Sequence, residues 1–301
     1  MSVPAVLSLT QRWVAERLLP RSDRSHKGDF GRLLVVAGSI EFPGAAMLAG
    51  LGAMRAGAGV VTIAAAQSVA HGLGGVIPEL TWMVLDEEAP GLIAPSGWRH
   101  ATSEAAGYDA VVIGPGLGRQ PATLRRTRNF VGAIRGHAVI DADALNALAD
   151  GARWWQGLKG QHVLTPHPGE FGRLLGADAP AADDDAARAA AASGAAVRWN
   201  QVVVLKGAHS VVTSPGGDVV RSSVASPALA TAGSGDVLAG VIGAFVAGGS
   251  EPFVAAACGV AVHGAAGLLA EDRIGRAGVM ARDIAALLPE AIEQLRGGRA
   301  T

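Results

Sequence analysis

Ala230-Thr231-Ala232-Gly233-Ser234-Gly235-Asp236 runs straight into the apolar stretch Val237-Leu238-Ala239-Gly240-Val241-Ile242-Gly243-Ala244-Phe245. Glycines at this density let a backbone turn tightly and approach a ligand closely. A helix that starts there presents unpaired N–H groups and the positive end of its dipole, which together make an anion site. A carboxylate beside such a site can take a proton from a hydroxyl as phosphoryl transfer begins. The plainer reading of Asp236 is a helix cap.

Downstream of this turn the pattern is helical, over 237–247, 253–270 and 280–296. Upstream, short Val/Ile/Leu-rich runs recur at 33–37, 60–64, 110–113, 138–140, 162–164, 202–205 and 211–213, each ending in small or polar residues. Helix-like stretches separate most of them: 44–56, one opening at 145–149, and the Ala-rich 183–199. This alternation predicts βαβ units around a mostly parallel, buried sheet, an α/β fold with helices on both faces. The runs 202–205 and 211–213 lie too close together for a helix and predict a hairpin turned at Gly207-Ala208. The chain reads as one domain, with a core over 24–296 and a loosely attached leader helix or tail over 1–23. In such a sheet the site lies beyond the carboxyl ends of the strands, where most of the motifs fall.

Bulk properties exclude several classes. Of 301 residues 50% are hydrophobic and 17% charged, the net charge is −1 and the pI about 6.7, so nothing asks for nucleic acid or an anionic membrane as partner. The single cysteine, Cys258, rules out disulfides and a Cys-rich metal site and fits a reducing cytoplasm. The N-terminus lacks the pattern of a secretory signal. The apolar region 237–270 is broken at Ser250-Glu251-Pro252, and its first run is shorter than the roughly 20 residues a bilayer needs, so two core helices are expected. Walker-type, zincin and α/β-hydrolase motifs are absent from the sequence.

Five further segments could carry chemistry. In Thr165-Pro166-His167-Pro168-Gly169-Glu170 two prolines fix the loop; Glu170 could hold Mg²⁺ directly or through water, and His167 could donate to a substrate or phosphate oxygen. Alternatively Glu170 only complements the dipole of the next helix. Gly114-Pro115-Gly116-Leu117-Gly118 resembles a phosphate loop, although Pro115 argues against a Rossmann turn, and it serves equally as a tight strand-to-helix turn. In Asp141-Ala142-Asp143-Ala144-Leu145-Asn146, Asp141 could reach the site and Asp143 could be an N-cap. Lys206, in the hairpin, could meet phosphate while the turn floors an adenine. Small residues at Gly44, Ala45 and Ala46 admit either a flat ligand or close helix–sheet packing. His263, on an apolar helix, reads as a satisfied core histidine.

Taken in order, H-K-G-D-F-G (26–31), G-S-x-x-F-P-G-A-A (38–46), G-P-G-L-G (114–118), D-A-D-A-L-N (141–146), T-P-H-P-G-E-F (165–171), V-L-K-G (204–207) and A-T-A-G-S-G-D-V-L-A-G (230–240) resemble the ADP/ATP-dependent NAD(P)H-hydrate dehydratases. The likeness runs from about residue 24 to about residue 291. It implies a ribokinase-like three-layer α/β/α fold and repair of hydrated NADH and NADPH, with ADP or ATP as phosphoryl donor and Mg²⁺ as cofactor. It also implies a homo-oligomer, a tetramer by family likeness, and functional pairing with a separate epimerase, since this chain has no room for an epimerase domain.

Position by position, the resemblance makes Asp236 the catalytic carboxylate. Gly235, with Gly233 and Ser234, becomes the phosphate-binding turn. Lys206, Gly207, Ala208, His209 and Ser210 become the adenine-nucleotide stretch, and Ala45, Gly116, His167 and Asp236 the lining of the hydrated-cofactor pocket. His167 and Glu170 stand where many ribokinase-like enzymes carry an Asn-x-x-Glu magnesium motif. Ser234 replaces a commoner Thr and Phe42 a commoner Tyr. The competing readings are a small-alcohol kinase of the same fold and a non-catalytic nucleotide-binding regulator.

Overall fold

The computed structural model describes residues 6–297. In chain order it opens with β1 (Val6–Ser8), α1 (Gln11–Ala15), β2 (Arg32–Val36), α2 (Pro43–Ala56), β3 (Val60–Ala66), α3 (Gln67–Leu73) and β4 (Thr81–Leu85). A small hairpin, β5 (Glu87–Ala89) and β6 (Leu92–Ile93), is followed by α4 (Pro95–Glu104), β7 (Ala110–Ile113), α5 (Pro121–Ala133), β8 (His137–Ile140) and α6 (Ala142–Ala149). Then come β9 (Val163–Leu164), α7 (Pro168–Leu175), α8 (Asp185–Trp199), β10 (Val202–Leu205), β11 (Val211–Thr213) and β12 (Val219–Arg221). The chain closes with α9 (Ser234–Ala247), α10 (Pro252–Ile274) and α11 (Ala281–Leu295). Helices α2, α4, α5, α7 and α10 each begin on a proline at the first turn, where its fixed φ fits and its missing N–H costs nothing.

Ten strands form one sheet in the order β1-β12-β11-β10-β9-β8-β7-β2-β3-β4. Only the β10–β11 and β11–β12 pairings are antiparallel. Strands β7 and β10 are buried along their whole length, as strands covered on both faces must be. From β2 the chain progresses one way, through β3 to β4; from β7 it progresses the other way, through β8 and β9 to β10. Right-handed crossovers running in opposite directions put α2 on one face and α5 to α8 on the other, which makes the three layers. The reversal falls between β2 and β7, and it opens a crevice at their carboxyl ends. There the loops after the two strands are tied together by Gly38 N–H donating to Pro115 O at 2.8 Å.

Helix α9 packs across β2, β7 and β8 and lies directly against α2. A Cβ on Gly52 would meet the Val237 carbonyl oxygen at 2.5 Å, and one on Gly240 would overlap the carbonyl of Ala49. The two helices therefore touch backbone to backbone, with no side-chain layer between them. Helix α10 is long and apolar enough to cross a membrane by composition, yet 72% of its apolar window is buried against the rest of the fold.

The expected strands and helices form where their patterns place them, within a few residues at each end. The leader differs. Val6–Ser8 is an edge strand paired in parallel with Val219–Arg221, and Leu9, Val14 and Leu18 are buried in the core, so described residues from 6 onward are built into the fold rather than loosely attached. Residues 1–5 and 298–301 lie outside the described residues. Strands β1, β4 and β12 and the β5–β6 hairpin were not foreseen. β1 and β12 have three residues each, too few to show a pattern, while β4 is a half-exposed strand at the edge of the sheet.

Candidate active site

The carboxyl ends of β8, β9 and β10 deliver a buried charge cluster. Asp141 follows β8 and is 1% exposed. Its Oδ1 accepts from Lys206 Nζ at 2.7 Å and from Thr165 Oγ1 at 2.7 Å. Lys206 follows β10, and its backbone N–H donates to Pro166 O at 2.9 Å, joining the hairpin to the Pro-fixed loop after β9. Glu170 Oε2 lies 4.0 Å from Lys206 Nζ. Burial works to lower the Lys206 pKa, but the carboxylates of Asp141 and Glu170, with Asp236 adding, outweigh it and raise it. The lysine therefore stays an ammonium ion. Burial, with the Asp141 charge adding, pushes the Glu170 carboxyl upward against the pull of Lys206.

Asp236 enters from the other layer, in the first turn of α9. Gly233 is the N-cap residue, at φ +84°, with Leu48 of α2 and Ala281 of α11 against it. Asp236 is three residues on and makes no capping hydrogen bond, so the plain cap reading does not describe it. Among the described residues the backbone N–H groups of Gly235 and Asp236 have no protein acceptor. Lys206 lies beside that turn: a Cβ on Gly235 would meet its Nζ at 3.4 Å. Burial, then the charge on Asp141, push the Asp236 carboxyl up to about 7 against the pull of Lys206. A carboxylate titrating there is poised as a general base at neutral pH.

His167 and Glu170 form a reciprocal cap on α7. Glu170 Oε2 accepts from His167 N–H at 2.8 Å, while His167 Nδ1 accepts from Gly169 N–H at 3.0 Å and Glu170 N–H at 3.4 Å. Nδ1 is thus an acceptor and the ring proton sits on Nε2. Burial, then Lys206 and Arg173, lower the His167 pKa, so the ring is a neutral donor. Glu170 therefore serves the helix-start role, and its buried carboxylate faces the lysine as well.

On the side of β2 and β7, Gly116 at φ +63° packs so closely on Phe42 and Ala45 that a Cβ would meet the Ala45 Cβ at 2.8 Å. The loop is held from α6. Asp143 Oδ2 accepts from Gly118 N–H at 2.9 Å, and its Oδ1 from Arg119 Nε at 3.0 Å and Asn146 Nδ2 at 3.3 Å. Asn146 Oδ1 in turn accepts from Arg173 Nε at 2.9 Å, linking this loop to α7. Asp143 is therefore a loop clamp; the N-cap position belongs to Asp141.

On the side of β10 a cavity of about 690 Å³ opens between the hairpin turn and α9. Lys206, Gly207, Ala208, Ser210, Ser234 and Gly235 line it. So do residues 224–227 and 229–231, Leu238, His263 and Arg276. His209 and Gly233, both expected at the nucleotide, are not among the residues lining it. His263 Nε2 lies 3.0 Å from Ser234 Oγ, and burial takes its pKa down to about 4, so it is a neutral, partnered core histidine on the cavity wall. Ser226, Thr231, Arg276, Thr165 and Arg188 were missed in the sequence. Thr165 and Thr231 stand inside T-P-H-P-G-E-F and A-T-A-G-S-G-D without being singled out there, while Ser226, Arg276 and Arg188 sit in segments without a motif and only the fold brings them to the site.

The family profile described as NAD(P)H-hydrate dehydratase matches residues 33–290. The chain is 41% identical over 287 residues to a bifunctional NAD(P)H-hydrate repair enzyme of Moorella thermoacetica, covering 95% of this chain and 54% of that protein. It thus spans about half the length of such bifunctional relatives. It is 38% identical to an ADP-dependent (S)-NAD(P)H-hydrate dehydratase of Xanthomonas campestris, covering 99% of this chain and 100% of that one. The ADP/ATP-dependent NAD(P)H-hydrate dehydratase of Bacillus subtilis, co-crystallised with ATP and Mg²⁺, superposes with a TM-score of 0.83 at 32% identity, over 96% of this chain and 99% of that one.

Proposed function

The chain belongs to the NAD(P)H-hydrate dehydratase family, and from that membership we propose that it dehydrates the S form of hydrated NADH and NADPH, with ADP or ATP as phosphoryl donor. The observation that supports this most is the meeting of Asp236, Lys206 and the free α9 amides between two separate binding surfaces. One is the small-residue surface at Ala45 and Gly116, beside His167, for the hydrated nicotinamide. The other is the cavity at 206–210 and 234–235, for the adenine nucleotide.

Asp236 removes the proton from the ring hydroxyl. The oxygen so freed forms a bond to the terminal phosphorus of the nucleotide, whose bridging P–O bond breaks. Lys206 and the Gly235 and Asp236 amides bind the charge that develops on the phosphoryl oxygens. Hydroxide is a poor leaving group and phosphate a good one. The ester C–O bond then breaks with its electron pair, the ring-nitrogen lone pair fills the vacancy, and loss of a proton from the neighbouring carbon restores the dihydronicotinamide. His167 Nε2–H donates to an oxygen of the substrate.

The donor set fits magnesium in a particular way. Among the described residues no group of three His, Cys, Asp or Glu side chains converges as a direct ligand cage, and Glu170 Oε2 is already engaged. Mg²⁺ would be held through water by Glu170 and through the nucleotide phosphates, where it neutralises phosphate charge. We read the chain as one ribokinase-like domain working in the cytoplasm as a homo-oligomer and sharing its substrate pool with an epimerase. Incubation with hydrated NADH, Mg²⁺ and ADP or ATP tests the proposal. The reduced-nicotinamide absorbance returns as one nucleotide is consumed per turnover; a stable phosphorylated product without elimination refutes dehydration and marks a kinase.

A further inference from the structure

We propose that Arg188 is a positioning residue for the adenine nucleotide, shaping the 206–210 turn so that the Ser210 amide is left for the cavity; this rests on the assignment of that turn to the nucleotide. Arg188 stands on the Ala-rich helix α8 with its side chain only 2% exposed. Its Nη1 donates to Ala208 O at 2.9 Å and His209 O at 3.4 Å, and its Nη2 to Lys206 O at 3.3 Å and Leu205 O at 3.4 Å. Asp185 neutralises it, with Oδ1 3.1 Å from Nη1, and Asp185 Oδ2 is itself held by Arg221 Nη1 of β12 at 2.9 Å. One guanidinium thus gathers four carbonyls of the hairpin.

Two features of the turn follow from this grip. In a trans peptide the C=O and the next N–H point in opposite directions. Drawing the carbonyls of Lys206, Ala208 and His209 toward α8 turns the N–H groups of Gly207, His209 and Ser210 away from it. The first two are taken by Ser210 Oγ and Val224 O. Among the described residues the N–H of Ser210, a cavity-lining residue, has no protein acceptor and is available to a ligand. The second feature is steric. His209 holds φ +55°, disfavoured for a residue with a Cβ, between two carbonyls that Arg188 binds. A Cβ on Gly207 would meet Arg188 Nη2 at 2.6 Å, so the guanidinium closes on a position, at φ +155°, that suits glycine.

Arg188→Ala, Arg188→Lys and Asp185→Asn test this by calorimetric titration with ADP and by steady-state kinetics on the same preparations. Arg188→Ala raises the Kd and KM for ADP by about tenfold or more, the size expected for losing charge-assisted hydrogen bonds. The KM for hydrated NADH at saturating ADP moves little. Guanidinium ion, but not sodium at equal ionic strength, recovers ADP affinity by filling the vacated site. Arg188→Lys and Asp185→Asn shift the ADP Kd in the same direction by less, and they carry the test should the alanine variant not fold. An unchanged ADP Kd in a folded variant, or a fall in kcat with ADP KM unmoved, overturns the proposal. If the wild-type chain binds ADP but does not restore NADH, the dehydratase reading fails while the Kd series still decides on Arg188.

Discussion

Two loops flank Asp236, and ions of opposite sign hold them. The 114–119 loop is clamped by a carboxylate, Asp143, which takes its Gly118 amide and the Arg119 side chain. The 206–210 turn is clamped by a guanidinium, Arg188, which takes its carbonyls. The first clamp is partly open to water, with Arg119 61% exposed; the second is sealed under α8. An anionic clamp occupies donors and a cationic clamp occupies acceptors, so each fixes which backbone groups remain for a ligand. The turn assigned to the phosphate-bearing nucleotide is the one that, among the described residues, leaves the Ser210 amide without a protein acceptor. Burial also grades the two, because a charge-assisted bond screened by water contributes less than the same bond in the interior.

The sharpest test of this division is the residue between the loops. Asp236→Asn removes the proton acceptor, and turnover falls by roughly 10²–10⁴-fold while both Michaelis constants stay within a few-fold. Because the base acts deprotonated, wild-type kcat/KM climbs as pH rises through about 7, and the variant loses that rise. The same shift has a consequence for stability. The folded carboxyl titrates at about 7 against an ordinary 3.8, so its contribution is lost as pH rises through 7, and Asp236→Asn melts higher than wild type at pH 8. Turnover within a few-fold of wild type would return Asp236 to a purely structural role.

Asp143→Ala breaks the carboxylate clamp alone. The KM for hydrated NADH rises by about tenfold, the worth of one good charge-assisted hydrogen bond, with ADP KM unmoved. A matching rise in ADP KM would show that the two loops are not independently held. Glu170→Gln sits where the loops meet, and its carboxamide can still accept from His167 N–H. The Mg²⁺ concentration for half-maximal rate rises a few-fold in this variant; an unaltered Mg²⁺ dependence leaves Glu170 with its helix-start role only.

The smallest effect on catalysis belongs to a control far from both clamps. His162, just before β9, is fully buried, neither ring nitrogen has a partner among the described residues, and burial takes its pKa down to about 4. The unfolded chain binds its proton near 6.5, so the stability this ring permits is whole above that pH and lost as pH falls toward 4. His162→Phe therefore narrows the stability difference between pH 8 and pH 5 by about 2 kcal/mol and leaves both Michaelis constants alone. Denaturant melts at the two pH values measure it.

The contrast between the clamps also shows what a sequence can disclose. The anionic one is visible in outline, because Asp143 stands in D-A-D-A-L-N just after a strand. Its reading as a cap failed because capping is judged from a residue's own helix, whereas its partner Gly118 is 25 positions away. Arg188 is invisible for a stronger reason. An arginine in an alanine-rich helix looks like the solvated face of an amphipathic stretch, and only the packing of α8 on β10 and β11 turns it inward. The buried strands, the turn before α9 and the carboxylates at strand ends were legible, since burial on both faces and tight turns leave local signatures. β1 and β12, each three residues long and held by strand pairing rather than by a local pattern, leave almost none.

The glycine contact between α2 and α9 sets a machining tolerance for the whole site. Ala45 rides on the first turn of one helix and Asp236 on the first turn of the other. With Gly52 and Gly240 putting backbone on backbone, no flexible spacer can take up an error between them. Any added atom at either glycine must appear as a displacement of the proposed proton acceptor relative to the floor proposed for the hydroxyl-bearing ring, and reactions of this kind lose rate steeply with misplacement on the order of 1 Å. The small residues that look like compositional drift along these helices are there a gauge block, and variation at them is limited by alignment before it is limited by folding.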